Sequence, residues 1–241
     1  MGAALARVAE KQIVILPGMD GTGKLCRRFV NCVRDKGKVL IASYPNDRCV
    51  QLVDLENQII EILEQRSPCV LIAESFSGPI ALRVAVRRPG AVSGVVLCGS
   101  FVSSPVPRSL RWFMWLVAGV AVRALGARSV VVRLLASEEC PPDTVTEIRE
   151  ALESVPWRIL AKRMRQMIRI DARSDLEALR IPILFIQGTK DRVVSLEAWR
   201  QVAAVKADVS RVLIEGPHLL LMCKPKAVYA AIEAFISSLN E

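Results

Sequence analysis

Short apolar runs alternate along the chain with longer segments in which apolar residues recur at helical spacing. Each short run leads into Gly, Pro or Ser, as strands that end in turns do. This alternation is typical of βαβ units, so we predict an α/β fold with a mostly parallel sheet of about six core strands and helices on both faces. The predicted strands are 12–18, 38–45, 69–75, 93–100, 181–188 and 210–217, and the clearest helices are 52–65, 78–88, 196–205 and 225–239.

The alternation stops between residues 101 and 180, where several helical patterns follow one another without a convincing pair of strands. An insertion explains this interruption. We therefore predict a core made of residues 1–100 and 181–241, with residues 101–180 forming an inserted helical cap. One cap helix, in residues 157–170, has an apolar face and carries most of its basic residues elsewhere.

Composition bounds the class of protein. A chain of 241 residues with 52% hydrophobic and 24% charged residues is globular, and its length suits one α/β domain of roughly 200 to 250 residues. The seven cysteines show no Cys-x-x-Cys spacing, so we predict that they are reduced and mostly buried. A single histidine argues against a zinc site, and we expect neither a metal nor a cofactor.

The uncharged apolar stretch 112–122 is much shorter than the roughly 20 residues that span a bilayer. The N-terminal residues also lack the long apolar core of a signal peptide, so we predict a cytoplasmic protein. The net charge of +9 comes without a long Lys/Arg run, which favours a dispersed basic surface and no nucleic-acid partner. Five arginines and no acidic residue lie between residues 101 and 135, so contact with anionic lipid is an open alternative.

The segment 69–82, CVLIAESFSGPIAL, joins a buried strand to a helix through small residues. A serine nucleophile on a strained turn needs small neighbours two positions away on either side, and Ala73 and Ser77 satisfy this requirement for Ser75. The alternative is that Ser75 caps the following helix. Ser77 is a rival nucleophile, but Pro79 fits the corresponding position of its turn badly.

A serine nucleophile needs a base, and the chain offers only His218, on the loop after the last predicted strand. Asp191, just past the preceding strand, is the candidate carboxylate that would orient it. Each of these residues has an ordinary alternative, a surface histidine and a turn aspartate. Their chain order Ser, Asp, His, each beyond the carboxyl end of a strand, instead indicates one catalytic site.

The glycine-rich loop LPGMDGTGKL, residues 16–25, follows the first strand. Backbone amides of such a loop and of the residue after the nucleophile stabilise the oxyanion in acyl transfer, so we predict Met19 and Phe76 as donors. The alternative is a phosphate-binding loop, but Leu25 follows Lys24 where the phosphate-binding motif has Ser or Thr, and a dinucleotide fingerprint is absent.

Together, LPGMDGTG, AESFSG, GTKD and GPH resemble the oxyanion loop, nucleophile elbow, acid and histidine motifs of the α/β-hydrolase superfamily. The resemblance covers the chain except residues 101–180, where that superfamily carries its cap. It implies an α/β-hydrolase fold with Ser75 as nucleophile, Asp191 as acid and His218 as base. The sequence departs from the usual pattern at Ala73 and Ser77, which replace glycines, and at Pro17, which replaces the loop histidine.

These features predict a carboxylesterase-like serine hydrolase that cleaves esters of small or medium acyl chains through an acyl-enzyme. The substrate-binding wall is predicted in the cap, at Phe113, Met114, Trp115 and Leu116, although these residues could equally pack the cap on the core. Two alternatives stay open, namely acyl transfer to an alcohol or lipid and a non-catalytic binding module. The sequence gives no oligomeric state.

Overall fold

The computed structural model describes residues 12–33, 38–124, 132, 134–136 and 140–239. These described residues contain six strands and ten helices, and single 3-10 turns cover Lys24–Cys26 and Ser75–Ser77. The elements are β1 Gln12–Leu16, α1 Arg27–Val33, β2 Lys38–Ile41, α2 Leu52–Glu64, β3 Cys69–Glu74, α3 Gly78–Arg87, β4 Val92–Cys98, α4 Arg108–Ala124, α5 Thr144–Glu153, α6 Trp157–Arg169, α7 Arg173–Ala178, β5 Ile183–Gly188, α8 Glu197–Val205, β6 Ser210–Ile214, α9 Leu220–Cys223 and α10 Pro225–Ser238.

The six strands form one parallel sheet in the order β2-β1-β3-β4-β5-β6. Its inner strands are mostly apolar because helices cover both faces, which hides every position of β3 and β5 from solvent, including the polar residues Glu74 and Gln187. Alternate residues along the strands pack into two separate hydrophobic cores, one on each face of the sheet. Val14 and Leu16 pack with the helices on one face, whereas Ile13 and Ile15 pack with α1 and α10 on the other. The predicted α/β-hydrolase fold is therefore confirmed.

Residues 101–180, here called the β4–β5 segment, contain α4 to α7. An isolated antiparallel bridge pairs Ser103, before α4, with Asp171, after α6. Helix α7 returns to the main core, where Leu176 is fully buried. Helices α4 and α6 lie against each other, since Arg165 Nε donates to the Trp115 carbonyl oxygen at 3.2 Å.

The prediction that all cysteines are reduced is wrong for two of them. Cys140 and Cys223 form a disulfide across a Cα separation of 4.8 Å. They are 83 residues apart in sequence and meet because α5 and α9 share a small apolar cluster with Leu25 and Ile148. Spacing along the chain gave no sign of this pair. The other five cysteines carry free thiols.

Within the described residues, no helix is both long enough and apolar enough to cross a membrane. In the same part of the chain, no group of three or more His, Cys, Asp or Glu side chains is arranged to hold a metal ion.

Candidate active site

Three loops at the carboxyl ends of β3, β5 and β6 bring together the serine, aspartate and histidine singled out in the sequence. His218 Nε2 lies 2.9 Å from Ser75 Oγ, and His218 Nδ1 lies 2.8 Å from Asp191 Oδ2. The His218 and Asp191 side chains are 2% and 1% exposed. Parallel strands end at the same edge of a sheet, so residues 143 positions apart can form one hydrogen-bonded chain.

Asp191 is held in place by its own loop. Its Oδ1 accepts hydrogen bonds from the Val193 and Val194 amides, each at 2.8 Å, which leaves Oδ2 for His218. A carboxylate that accepts from Nδ1 keeps the proton on that nitrogen. His218 Nε2 is then free to accept the proton of the Ser75 hydroxyl.

Ser75 occupies a turn that ordinary side chains avoid. Its φ is +50°, and it is the one non-glycine residue with positive φ in the part of the chain described. The Ser100 hydroxyl donates to the Ser75 carbonyl oxygen at 2.6 Å and so fixes the turn. A Cβ on Gly78 would collide with Ser100 Oγ, which explains the glycine at the start of α3. Backbone strain at a nucleophile is the geometry that the small neighbours predict.

The rival serine, Ser77, has a different set of contacts. Its hydroxyl donates to the Pro17 carbonyl oxygen and lies 2.5 Å from the Tyr44 hydroxyl. It is fully buried and fastens the elbow to the end of β1. His218 therefore pairs with Ser75 rather than with Ser77.

The loop after β1 lies beside the elbow. The Gly21 amide donates to the Gly18 carbonyl oxygen at 3.0 Å, which closes a turn around Met19. A Cβ on Gly18 would lie 3.9 Å from Ser75 Cβ, so the loop passes within contact distance of the nucleophile. Phe76 directly follows Ser75 and is buried. The roles of Met19 and Phe76 as oxyanion donors stay predictions.

The phosphate-loop alternative fits these contacts poorly. Asp20 is buried, and its Oδ2 accepts from the Thr22 amide at 2.9 Å and from the Thr22 hydroxyl. A carboxylate therefore already occupies an amide of the loop and would repel a phosphate.

Sequence reasoning missed Arg163, a buried residue of α6 that reaches the loop after β1. Its Nη1 donates to the Met19 and Asp20 carbonyl oxygens at 3.0 and 2.8 Å. Its Nη2 donates to Pro45 O at 2.9 Å and to Asn46 Oδ1 at 3.1 Å. Burial lowers the pKa of the guanidinium, and the nearby Asp20 carboxylate opposes this effect. In the sequence Arg163 is one of several basic residues on the same helix, and nothing in the pattern shows that its side chain points inward.

Sequence reasoning also missed Glu74, the residue before the nucleophile. It is almost fully buried, and burial, reinforced by the charge of Asp20, raises its pKa to about 7. The electrostatic interaction with His218, a hydrogen bond from the Cys26 thiol and one from the Gly18 amide lower the pKa of Glu74 and so oppose this effect. Within the described residues, Glu74 Oε1 has no hydrogen-bonding partner. Glu74 thus links the elbow to the loop after β1.

The four residues predicted as a substrate wall lie on α4. Phe113 and Leu116 are each 54% exposed, and Met114 is half-buried. Trp115 packs against α6, where the Arg169 guanidinium carbon lies 4.4 Å from its ring centre. Their role in substrate binding stays a prediction.

The sequence around these residues matches a known protein family. A family model described as serine aminopeptidase, S33, a hydrolase family, matches residues 47–221. That match covers more than half of the chain, including Ser75, Asp191 and His218. The chain belongs to this hydrolase family. The predicted membership of the α/β-hydrolase superfamily and the broad class of enzyme are thereby confirmed.

Solved structures of other enzymes share the fold. A thermophilic esterase from Thermogutta terrifontis is 19% identical, with a TM-score of 0.82, and the match covers 97% of this chain and 92% of the esterase. A bromoperoxidase from Bacillus anthracis is 16% identical, with a TM-score of 0.82 and coverages of 94% and 92%. A carboxylesterase from Nitrososphaera gargenis is 14% identical, with a TM-score of 0.79 and coverages of 95% and 91%. Comparison with curated protein sequences finds no significant match.

Proposed function

We propose that this protein is a serine hydrolase that cleaves carboxylic esters of small or medium acyl chains through an acyl-enzyme intermediate. The observation that carries the proposal is the hydrogen-bonded chain from Asp191 Oδ2 through His218 to Ser75 Oγ, with heavy-atom distances of 2.8 and 2.9 Å. Esterases among the structures of the same fold are consistent with this chemistry. The proposal requires neither a metal nor a cofactor.

The reaction follows from the orientation of these groups. Ser75 Oγ attacks the ester carbonyl carbon while His218 Nε2 takes the hydroxyl proton, and Asp191 stabilises the resulting imidazolium. The Met19 and Phe76 amides bind the negative oxygen of the tetrahedral intermediate. The intermediate collapses, and the alcohol leaves with the proton from His218. Water then attacks the acyl-enzyme in the same way and releases the acid and free Ser75.

We propose residues 101–180 as the cap of this site and residues 1–100 and 181–241 as its core. In this arrangement Phe113, Met114, Trp115 and Leu116 would contribute to the acyl side of the pocket. We also retain the prediction of a cytoplasmic protein. Disulfides are uncommon in reducing compartments, so the redox state of Cys140 and Cys223 in cells tests that prediction.

A panel of p-nitrophenyl esters from acetate to laurate tests the proposed reaction, with Ser75→Ala as the control. We expect turnover of the shorter esters and loss of turnover in the variant. The same panel with an added alcohol acceptor measures partition of the acyl-enzyme, so transfer that exceeds hydrolysis would assign the enzyme to acyltransferases. Aminoacyl p-nitroanilides form a third arm, because faster cleavage of these amides than of the esters would overturn the ester assignment. A folded protein that is inactive in every arm would contradict the proposal and favour a binding module.

A further inference from the structure

Two helices account for almost all of the net positive charge of the chain. Helices α4 and α6 together contain eight basic residues and no acidic residue, against a net charge of +9 for the whole chain. The remaining 211 residues are therefore close to neutral. Most basic residues are thus dispersed among acidic ones, as expected from the sequence, but the excess of positive charge belongs to one helix pair. Among the basic residues of this pair whose side chains the structure describes, Arg163 is buried, and Arg108, Arg111, Arg158, Lys162, Arg165 and Arg169 lie nearer the surface.

The same helix pair carries exposed apolar side chains. Trp112, Leu116 and Val120 recur every four residues along α4 and are 74%, 54% and 71% exposed, with Phe113 beside them at 54%. Spacing of four residues aligns side chains along one face of a helix. Contiguous exposed apolar residues on a soluble fold mark an interaction surface.

A groove of about 760 Å³ between the two helices combines both properties. Leu116, Val120 and Trp157 supply apolar walls, and Arg158, Lys162 and Arg165 supply positive charge. Apolar walls with a cationic edge suit a molecule that has an acyl chain and an anionic head. We call the surface formed by α4 and this groove the α4–α6 face.

We propose that the α4–α6 face docks on membranes that contain anionic phospholipid. Each Lys or Arg near such a surface contributes about 1 kcal/mol, and exposed Trp and Phe insert at the boundary between headgroups and acyl chains. A second copy of the chain is a poorer partner, because two faces with the same cationic residues repel each other. A nucleic acid would satisfy the charges but would leave the aliphatic residues Leu116 and Val120 without an apolar partner.

Vesicle binding tests this proposal independently of catalysis. We expect cosedimentation with phosphatidylglycerol vesicles at low salt, loss at high salt, little binding to phosphatidylcholine vesicles and a blue shift of tryptophan fluorescence. A variant with Arg158→Glu and Lys162→Glu should bind at least about thirtyfold more weakly, from the contribution of two basic residues. A variant with Trp112→Ser and Val120→Ser should also bind weakly and lose most of the blue shift.

Matched controls are Lys226→Glu on α10 and Leu213→Ser on β6, both exposed positions outside the α4–α6 face. They should bind as the unchanged protein does. Absence of binding at low salt, or equal binding to both lipids, would overturn the proposal. Two other results would also overturn it. The first is that the α4–α6 variants abolish binding of single-stranded DNA while vesicle binding persists. The second is that they abolish concentration-dependent dimerisation while vesicle binding persists.

A different observation carries a second inference, which concerns the loop after β1 and rests on the proposed function. The Arg163 guanidinium lies close against Gly21, where a Cβ would come within 2.5 Å of Nη1, and Gly21 has a φ of +68°. Four oxygen acceptors from two loops surround it, among them the carbonyl oxygens of Met19 and Asp20. The turn that contains Met19 is thus held at one side by its own Gly21–Gly18 bond and at the other by α6.

We infer that Arg163 is a positioning residue that holds the Met19 amide in the orientation needed for the oxyanion. The planar fork of arginine can donate to several fixed acceptors at once, whereas the compact ammonium of lysine cannot reach all of them in the same geometry. Removal of Arg163 should therefore affect the transition state more than substrate binding, since the oxyanion develops only during the reaction.

The test compares Arg163→Ala, Arg163→Lys and Arg169→Ala on p-nitrophenyl acetate. Arg169→Ala deletes the same group from the same helix but removes a contact with Trp115. We expect the two Arg163 variants to lose about 100-fold in kcat with little change in KM, on the scale of one lost oxyanion donor. Added guanidinium ion at concentrations that do not unfold the protein should restore part of the kcat of Arg163→Ala, and Arg169→Ala should stay near the starting activity.

Hydrogen exchange of the peptide that contains residues 17–23 separates this inference from the proposed function. We expect faster exchange in Arg163→Ala than in Arg169→Ala, whether or not the protein is an esterase. If the unchanged protein is inactive but shows this exchange difference, the proposed function is overturned, while the contact between Arg163 and the loop after β1 is supported. Unchanged kcat, or a loss that appears only in KM, would overturn the positioning role.

Discussion

The two halves of the candidate site differ in what holds them. Ser75, Asp191 and His218 sit on loops of the sheet, and short-range contacts such as the Val193 and Val194 amides orient them. The loop with Met19 is instead held by Arg163, which lies 144 residues later in the chain. The first half is a property of the core, and the second depends on the β4–β5 segment docking on that core. Substitutions in the first half should therefore abolish catalysis, and substitutions in the contacts of the β4–β5 segment should lower the catalytic rate without abolishing it.

The largest expected effect is that of Ser75→Ala. We expect kcat for p-nitrophenyl esters to fall by about 10⁴-fold to 10⁶-fold, because the nucleophile is lost while the fold is unaffected. Steady-state kinetics and thermal unfolding measure the two parts of this expectation.

Ser77→Ala is the matched control, since it removes a buried hydroxyl two residues away. Loss of this hydroxyl should lower the free energy of unfolding by about 1 kcal/mol, the contribution of one hydrogen bond, and should leave most of the esterase activity. A larger loss of activity in Ser77→Ala than in Ser75→Ala would show that Ser75 is not the nucleophile.

Asp191→Asn should have the next largest effect. An amide can keep the acceptor contact with the Val193 and Val194 amides, but its NH₂ group cannot accept a hydrogen bond from His218 Nδ1. The imidazole should then adopt the wrong tautomer, and we expect kcat to fall by about 10⁴-fold, as in the serine-protease precedent. Asp47→Asn, at an exposed position, is the control. A decrease of less than tenfold would mean that Asp191 does not orient the histidine.

Reduction of the Cys140–Cys223 disulfide tests the second tether of the β4–β5 segment, on the histidine side of the site. Closing a loop of 83 residues stabilises the folded state by about 4.5 kcal/mol in the chain-entropy model. We expect reductant to lower the free energy of unfolding by up to that amount. The Cys140→Ser/Cys223→Ser variant should not respond to reductant, and Cys49→Ser should respond as the unchanged protein does. Rapid alkylation of both thiols in the unreduced native protein would contradict the bond.

A smaller effect on stability than that of the disulfide is expected from the pH dependence that Glu74 contributes. Its pKa is about 7 in the folded protein and 4.5 as the ordinary value, so between these values the folded state binds more protons than the unfolded state. Stability must therefore decrease as pH rises from about 4.5 to 7, with a total of about 3 kcal/mol for this group. The titratable neighbours that face it are Asp20, Cys26 and His218.

Urea unfolding at several pH values from 5 to 8 measures this contribution against Glu74→Gln, which cannot ionise. We expect the unchanged protein to lose stability relative to the variant as pH rises through this range. Parallel profiles for the two proteins would show that Glu74 is already ionised at the lower pH.

The sequence predicts the core half of the site well for a physical reason. Strands of a parallel sheet end at one edge, so the order of Ser75, Asp191 and His218 after three apolar runs already implies their proximity. No local pattern gives the contacts of the β4–β5 segment. Arg163 resembles its basic neighbours in the sequence, and its inward direction depends on how α6 docks over the loop after β1. The Cys140–Cys223 pair likewise depends on the packing of α5 against α9.

Covalent labelling by a fluorophosphonate probe, with peptide mapping of the modified residue, tests the central claim most directly. Phosphonylation requires a serine that a histidine activates, and it needs no knowledge of the natural ester. The account predicts stoichiometric labelling at Ser75, abolished in Ser75→Ala and in His218→Ala and retained in Ser77→Ala. A folded protein that is not labelled, or is labelled at another serine, would contradict it.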